Sequence, residues 1–473
     1  MLTVIWVNLI IFYPTIARAQ VYGSPLWDFD AVCPVTALTM VSDVNDDGFP
    51  EMIVGTEAYY IHCLESNSGV ELWYAITSGI IWSITTIGDV NADSQEDVVV
   101  GTDHDEIQCF SGDIISGVGY ELWKVKQQGD IWALTSINDM NNDGYREVIA
   151  GTAGDNILCL SGQSGEELWR YSAISDIFAV AEYSDINGDG KAEVLAGGHG
   201  NSVLCLDGVT GNSIWTYDVG GTVWTLKTIE DIDGDNIREV LAGTDGDDLI
   251  CLSGRPSFNN REIWRFQTAG DVRSIKVSED ISGDSLEDVF FGSADNYLYL
   301  CNGKTGDLIW KSNMSGEVFT LDLVQDLTCD NNAEIVCGTQ MSSVHCLSGG
   351  RGTALWYYPF EEIGLIKNLA SVPDNTGDQI SEIIAASTSN AVVCLDGAAA
   401  IPTGACVKGD ADCNDKVECI DALLTLQILS EIRNISDWSA SGFCEPGDAN
   451  HDGWVTLEDV ISILRFLSTL ENF

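Results

Sequence analysis

Residues 131–171 read IWALTSINDMNNDGYREVIAGTAGDNILCLSGQSGEELWRY, and the rest of the chain repeats this stretch. Three landmarks hold the register. They are the acidic loop Asp139-x-Asn141-x-Asp143-Gly144-x-x-Glu147, the pair Cys159-Leu160, and the phrase Ser164-Gly165-x-x-Leu168-Trp169. The loop restarts at Asp43, Asp89, Asp139, Asp185, Asp231, Asp280, Asp326 and Asp374, eight times at 46 to 50 residues. Each unit carries four short apolar runs, here 132–137, 147–150, 156–160 and 167–171, separated by Gly, Asn and Asp clusters. Runs of this length with turn chemistry on both sides read as antiparallel strands. Four strands in about 46 residues is the arithmetic of a propeller blade. The sequence therefore predicts an all-β, eight-bladed propeller with four antiparallel strands per blade.

Ring closure is legible too. The Leu-Trp phrase also counts eight, but its first copy, Leu26-Trp27, precedes the first acidic loop. No Trp follows Cys394-Leu395 before the linker. The strand around Trp27 is thus expected to complete the last blade and cover an edge that would otherwise invite aggregation.

Domain boundaries follow from composition. Residues 1–19 form an apolar run ending in Ala17-Arg18-Ala19, the pattern of a signal peptide, which predicts a secreted protein. No later segment reads as a membrane span. The propeller is assigned to 20–397, a linker to 398–405 and a second module to 406–473. Lys and Arg total 21 against 73 Asp and Glu, a net charge of −52. That excludes nucleic acid as a partner, because phosphate binding needs clustered cations.

Positions 1, 5 and 9 of all eight loops carry Asp or Glu. Ca²⁺ takes six to eight hard oxygens at flexible geometry, and alternate residues of a tight loop converge on one ion. The candidate ligands are Asp43, Asn45, Asp47 and Glu51; Asp89, Asn91, Asp93 and Asp97; Asp139, Asn141, Asp143 and Glu147. They continue with Asp185, Asn187, Asp189 and Glu193; Asp231, Asp233, Asp235 and Glu239; Asp280, Ser282, Asp284 and Asp288; and Asp326, Thr328, Asp330 and Glu334. Loop four, with Gly190 after Asp189, matches the pattern best, and the Asp374 loop, with Thr376 and Gln379, is expected to be empty. The competing reading is a set of Asx turns that join strands without metal.

These loops resemble the calcium loops of FG-GAP and integrin-type propellers. The segment Cys159-Leu160-x-Gly162-x-x-Gly165-x-x-x-Trp169 resembles the Trp-docking motif of pyrroloquinoline-quinone-like (PQQ-like) propellers, with Cys-Leu-Ser in place of Ala-x-Asp. The resemblance spans about residues 21–400. It implies Ca²⁺ as cofactor. PQQ itself is not expected, because no adjacent cysteine pair occurs. The repeated cysteines, from Cys63 to Cys394, read as small buried apolar groups with free thiols.

Seven residues before each loop, the first strand carries Thr36, Trp82, Trp132, Phe178, Trp224, Arg273, Phe319 and Lys367. Aromatics with two cations near an axial channel are suited to a sugar or other planar ligand, while interblade packing is the alternative role for the same residues. Short loops such as Gly129-Asp130 and Asp245-Gly246-Asp247-Asp248 should rim the face opposite the acidic loops.

The tail contains two related halves 38 residues apart, GDADCNDKVECIDALLTLQILSEI and GDANHDGWVTLEDVISILRFLSTL. Each is a twelve-residue loop followed by helical apolar spacing. Candidate ligands are Asp410, Asp412, Asn414, Glu418 and Asp421, then Asp448, Asn450, Asp452, Thr456 and Asp459. The pair resembles a type I dockerin, a small α module with two EF-hand-like calcium loops that docks onto a cohesin of a scaffold protein. Cys419-Ile420 and Leu457-Glu458 stand where the family usually has Ser-Thr. Cys406, Cys413, Cys419 and Cys444 allow disulfides in any of three connectivities.

Two functions follow. One is a non-catalytic, calcium-stabilised propeller that binds a polysaccharide or protein ligand and is tethered through its dockerin to a cohesin in a cellulosome-like, polysaccharide-degrading assembly. The other is an enzyme, a polysaccharide lyase or O-glycosyl hydrolase using the channel face. A catalytic blade should break the repeat, and Arg273 and Lys367 are the visible deviations.

Overall fold

The structure is a computed structural model that describes residues 23–113, 117–256, 261–328, 330–378 and 380–397. The signal-peptide, linker and dockerin assignments lie outside the described residues.

Eight four-stranded antiparallel sheets follow one another along the chain. In the unit quoted above, blade three, the strands are Ile131–Ile137, Glu147–Thr152, Asn156–Ser161 and Glu167–Ser172, paired in that order. The second strand of every blade is buried along its whole length. Neighbouring blades cover both of its faces, which is why runs such as Val148-Ile149-Ala150 show no polar alternation. The fourth strand faces solvent on one side and alternates again, as Glu167–Ser172 does.

First strands contact one another from blade to blade, and Ile366–Val372 of blade eight contacts Val35–Val41 of blade one. They line the axis of a closed ring. Closure follows the scheme expected from the Trp count: Pro25–Asp30 pairs with Ala391–Leu395, setting Trp27 opposite Cys394. Among the described residues, no helix is long and apolar enough to cross a membrane.

Adjacent blades are fastened by indoles. The Nε1–H groups of Trp27, Trp123, Trp169, Trp264, Trp310 and Trp356 each donate to a backbone carbonyl of the next blade at 2.7–3.1 Å. Acceptors lie 39 residues on, except for Trp356, whose acceptor Gly397 is 41 away. Gly165, at φ 71°, lies flat on the indole of Trp123, where an added Cβ would come within 2.7 Å of the ring. That contact fixes the glycine in the Ser-Gly phrase.

Two indoles lack the bond, and the reason is local. Trp73 and Trp215 precede blades two and five, the blades whose third-to-fourth strand connections are long, and their Nε1 atoms have no partner among the described residues. Each insertion reaches back instead. In blade two, Gly119 N–H donates to the Tyr74 carbonyl at 2.8 Å. In blade five, the buried Arg261 guanidinium covers the Trp215 ring at 4.4 Å and donates to the carbonyls of Ser253 and Pro256.

The repeated cysteines are free and buried. Cys159 pairs across strands with Trp169, and Cys63, Cys109, Cys205, Cys251, Cys346 and Cys394 occupy the same place opposite their own indoles. In blade six, Leu300 takes that place and Cys301 pairs with Leu308.

Replacing a buried Trp by Ala costs about 3–5 kcal/mol. Trp27 is half-buried but carries the bond that shuts the ring, donating to the Ser66 carbonyl of blade one. We expect Trp27→Ala to lower stability by about 2–3 kcal/mol in chemical denaturation of the full chain. A variant as stable as the parent would contradict closure through this indole.

Candidate functional site: acidic loops and axial ring

The acidic loops join first to second strands, so all eight lie on one face of the ring. Each is folded by its own side chains. In loop four, Asp185 accepts the N–H of Gly188 at 2.6 Å and of Gly190 at 2.8 Å. Asn187 accepts from Asp189 N–H at 2.9 Å, and Asp189 from Lys191 N–H at 2.8 Å. Backbone bonds from Gly188 and Gly190 hold the Asp185 carboxyl below its ordinary range. Positions four and six are left-handed, as at Asn142 (φ 65°) and Gly144 (φ 94°), which suits Asn and Gly. These are Asx turns, folded by the side chains of positions one, three and five.

Position nine differs from the rest because it is buried in every blade, no more than 1 % exposed from Glu51 to Glu382. One carboxylate oxygen accepts backbone N–H groups at the loop start, as Glu147 does from Met140 and Asn141 at 3.1 Å. The second oxygen divides the blades. In Asp97, Glu193, Asp288 and Glu334 it accepts the N–H of Gly112, Gly208, Gly303 and Gly349 at 2.9–3.2 Å. In Glu51, Glu147, Glu239 and Glu382 it has no partner among the described residues. Burial pushes Glu51, Asp97, Glu147, Glu334 and Glu382 up to about 7 and Glu239 to about 8.

Three of the four orphaned oxygens belong to loops whose carboxylates converge. Asp43, Asp47 and Glu51 bring oxygens within 4.8 Å of one another, as do Asp139, Asp143 and Glu147, and Asp231, Asp233, Asp235 and Glu239. A buried carboxyl with one unpartnered oxygen, close to two or three other carboxylates, is satisfied by a proton, in line with its raised pKa, or by a hard cation. Loop four, the best match in sequence, is not among the converging loops, and both oxygens of Glu193 accept backbone N–H groups. In loop five the protein supplies a cation of its own, with Arg255 pairing with Asp235 and lying 3.6 Å from Asp233. The four ligand positions of loops two, six and seven stay in register as Asx turns, with Asp89, Asp280 and Asp326 each accepting loop N–H groups.

The axial residues share a second repeated device. In all eight blades the pairing of first and second strands slips at the strand's second residue, Thr36, Trp82, Trp132, Phe178, Trp224, Arg273, Phe319 and Lys367, and blade two slips again between Thr86 and Gly88. A β-bulge re-aims its extra side chain. These bulges bring the side chains into a belt. Ring centroids run Trp82–Trp132 5.0 Å, Trp132–Phe178 5.8 Å and Phe178–Trp224 5.1 Å. Arg273 then lies 5.3 Å from both Trp224 and Phe319. Lys367 reaches Trp82 at 5.8 Å past the small, buried Thr36. All but Thr36 stay half-exposed, so the belt is not a closed core. The indole Nε1 atoms of Trp82, Trp132 and Trp224 are buried and have no partner among the described residues.

The belt sits at the start of the first strands, away from the acidic loops at their ends. There the short loops form the rim, as expected, with Ala153 N–H on the Asp130 carbonyl and Asp245 N–H on that of Thr222. Asp176 and His199 (3.3 Å apart) flank Phe178, and Asp271 and Glu317 lie 2.9 and 3.7 Å from Arg273. One layer further in, three residues along the same strands, are Lys227, Lys276 and Asp322. Sequence reading passed over them because a charged residue on a strand ordinarily marks a solvated face; counting three on from the belt would have found them. The ten candidate ligands of the tail lie outside the described residues.

The buried carboxylates give a paired test. Glu147→Gln puts an amide where the orphaned oxygen was, so without calcium at pH 7.5 it should leave stability unchanged or raise it. Glu193→Gln sets an NH₂ against the Gly208 N–H and should cost about 1–3 kcal/mol. A carboxyl raised to about 7 disfavours the folded state once it ionises, so the calcium-free parent should lose stability as pH rises from about 5 to 7.5. Equal losses in the two variants would contradict this account of position nine.

The comparisons with known proteins agree with the fold. The family model described as outer membrane protein assembly factor BamB matches residues 22–237. No curated protein matches the chain. Saccharomyces cerevisiae Sqt1 superposes with a TM-score of 0.65 at 12% identity, covering 79% of this chain and 98% of that one. BamB from Moraxella catarrhalis superposes with a TM-score of 0.52 at 16% identity, covering 79% and 97%. The chain is an eight-bladed β-propeller whose residues 22–237 are similar to the BamB-type repeat.

Proposed function

We propose that the protein is a non-catalytic binding module whose axial belt takes a saccharide and whose acidic loops hold calcium. The observation that carries the reading is the β-bulge at the second residue of all eight first strands. A bulge disrupts the ladder, and eight in register at the axis, bearing Trp82, Trp132, Phe178, Trp224 and Phe319, serve a common surface rather than strand pairing. Indole faces suit the apolar faces of sugar rings, and the belt's rings are half-exposed.

Calcium belongs to the same reading. Ions at Glu51, Glu147 and Glu239 would supply the missing partner of a buried oxygen and stiffen the connections that set the first strands. A site at 100 times its Kd adds about 2.7 kcal/mol of stability. Secretion and attachment rest on the sequence alone: the apolar start as an export signal, and the paired tail loops as a calcium-dependent dockerin for a cohesin-bearing scaffold. Calcium-dependent pull-down of the full chain by a cohesin is the expected sign of that attachment.

A glycan array probed with the full chain in calcium, with Trp132→Ala beside it, tests the saccharide assignment. We expect binding to a limited glycan class that Trp132→Ala weakens at least tenfold while its melting temperature stays near the parent's. An array without hits, or hits indifferent to Trp132, would overturn it. Cleaved products among the hits would show an enzyme instead.

A further inference from the structure

We propose that the axial channel holds the carboxylate of an acidic saccharide at Lys227 and Lys276, between blades five and six. The inference rests on the saccharide reading of the belt and names the class of sugar. Both lysines lie on first strands, three residues beyond Trp224 and Arg273. The two differ in what holds them. Lys276 Nζ is 2.5 Å from Asp322 Oδ1, across the boundary of blades six and seven. Asp322 is then used up, because its Oδ1 also accepts Leu323 N–H and its Oδ2 accepts Ser371 N–H at 2.7 Å.

Lys227 is left over. Among the described residues no hydrogen bond or ion pair holds it, and its charged neighbours are Lys276 and Asp322. Its surface is open to solvent although protein surrounds it on most sides, as expected for a side chain lining a channel. Loss of surrounding water, and then the Lys276 charge, lowers its pKa. An ammonium group in that position gains from any anion that can enter.

The channel is asymmetric at this depth. Opposite the lysines, the equivalent positions on blades one to three are Thr39, Thr85 and Thr135, which offer hydroxyls and no charge. At the mouth above them, Asp271 and Glu317 are engaged by Arg273, while Asp245, Asp247 and Asp295 share the same rim, so Arg273 and the two lysines are the attractive groups on an otherwise acidic side. In a chain of net charge −52, cations aimed at the axis are not needed to offset the acidic loops, which lie at the other end of the strands. Three residues of strand span roughly 10 Å, so a ligand touching both Trp224 and Lys227 must be longer than one sugar ring.

The ring tryptophans supply the assay. Intrinsic fluorescence of the full chain in calcium buffer is titrated with trigalacturonate, with cellotriose and with inorganic phosphate. We expect a saturable change with trigalacturonate that weakens as salt rises. It should fall at least tenfold in affinity in Lys227→Gln and return in Lys227→Arg. Lys227 holds no structural bond, so Lys227→Gln should melt with the parent. Equal binding of trigalacturonate and cellotriose, unaffected by Lys227→Gln, would overturn the acidic class while leaving the belt as a saccharide site. Phosphate binding as tightly as trigalacturonate would overturn the saccharide assignment of the lysines. A response to none of the probes would overturn the proposal outright.

Discussion

An indole N–H donated to a carbonyl of the next blade is the interaction on which the rest of this molecule depends. A four-stranded sheet with both faces apolar cannot stand alone, and stacking eight of them gains burial without fixing the angle between them. The bonds from Trp123, Trp169, Trp264 and Trp310 supply that angle, and the flat glycine one turn on, Gly165 against Trp123, lets the indole sit close enough to make it. Where an insertion displaces the acceptor, the molecule substitutes a backbone bond at Tyr74 or the Arg261 guanidinium over Trp215. Two different replacements at two interrupted joints indicate that blade-to-blade coupling cannot be left unmade.

That coupling places two further rings. On one face it buries a carboxylate at the foot of every acidic loop. A buried carboxylate needs two satisfied oxygens, and blades two, four, six and seven meet the need with a glycine N–H from the next turn. In blades one, three and five one oxygen has no partner among the described residues, and the loop's other carboxylates lie close to that residue. The alternation divides the loops of one repeat into those whose buried carboxylate is fully paired and those whose carboxylate is not. Near the other face, the same angular spacing sets the bulged residues in a belt, with Trp82, Trp132, Phe178 and Trp224 in ring contact and Arg273 and Lys367 over neighbouring rings.

Much of this was legible in the sequence. The period, the four runs per unit and the displaced Trp27 give the eight blades and the closing strand, because each is a count that needs no knowledge of contacts. The belt from Trp82 to Lys367 could be found by counting back from the loops. The bulge that aims it could not, since a slip in pairing leaves no mark on a single strand. Nor could the sequence tell Glu147 from Glu193: both end an acidic loop, and the difference is whether Gly162 or Gly208 brings its N–H within reach. Loop four therefore looked the best calcium site by spelling, while convergence lies in loops one, three and five. Lys227 escaped notice because its meaning depends on Lys276 and Asp322, 49 and 95 positions further on in neighbouring blades.

The central claim is that the orphaned oxygens of position nine mark the loops that take calcium, and the direct measurement is anomalous diffraction from crystals of the full chain grown in calcium. The account predicts ion peaks within coordination distance of the Glu51, Glu147 and Glu239 carboxylates and none at Glu193 or Asp288, whose oxygens already accept glycine N–H groups. Peaks distributed equally over all eight loops, or absent from loops one, three and five at saturating calcium, would contradict it.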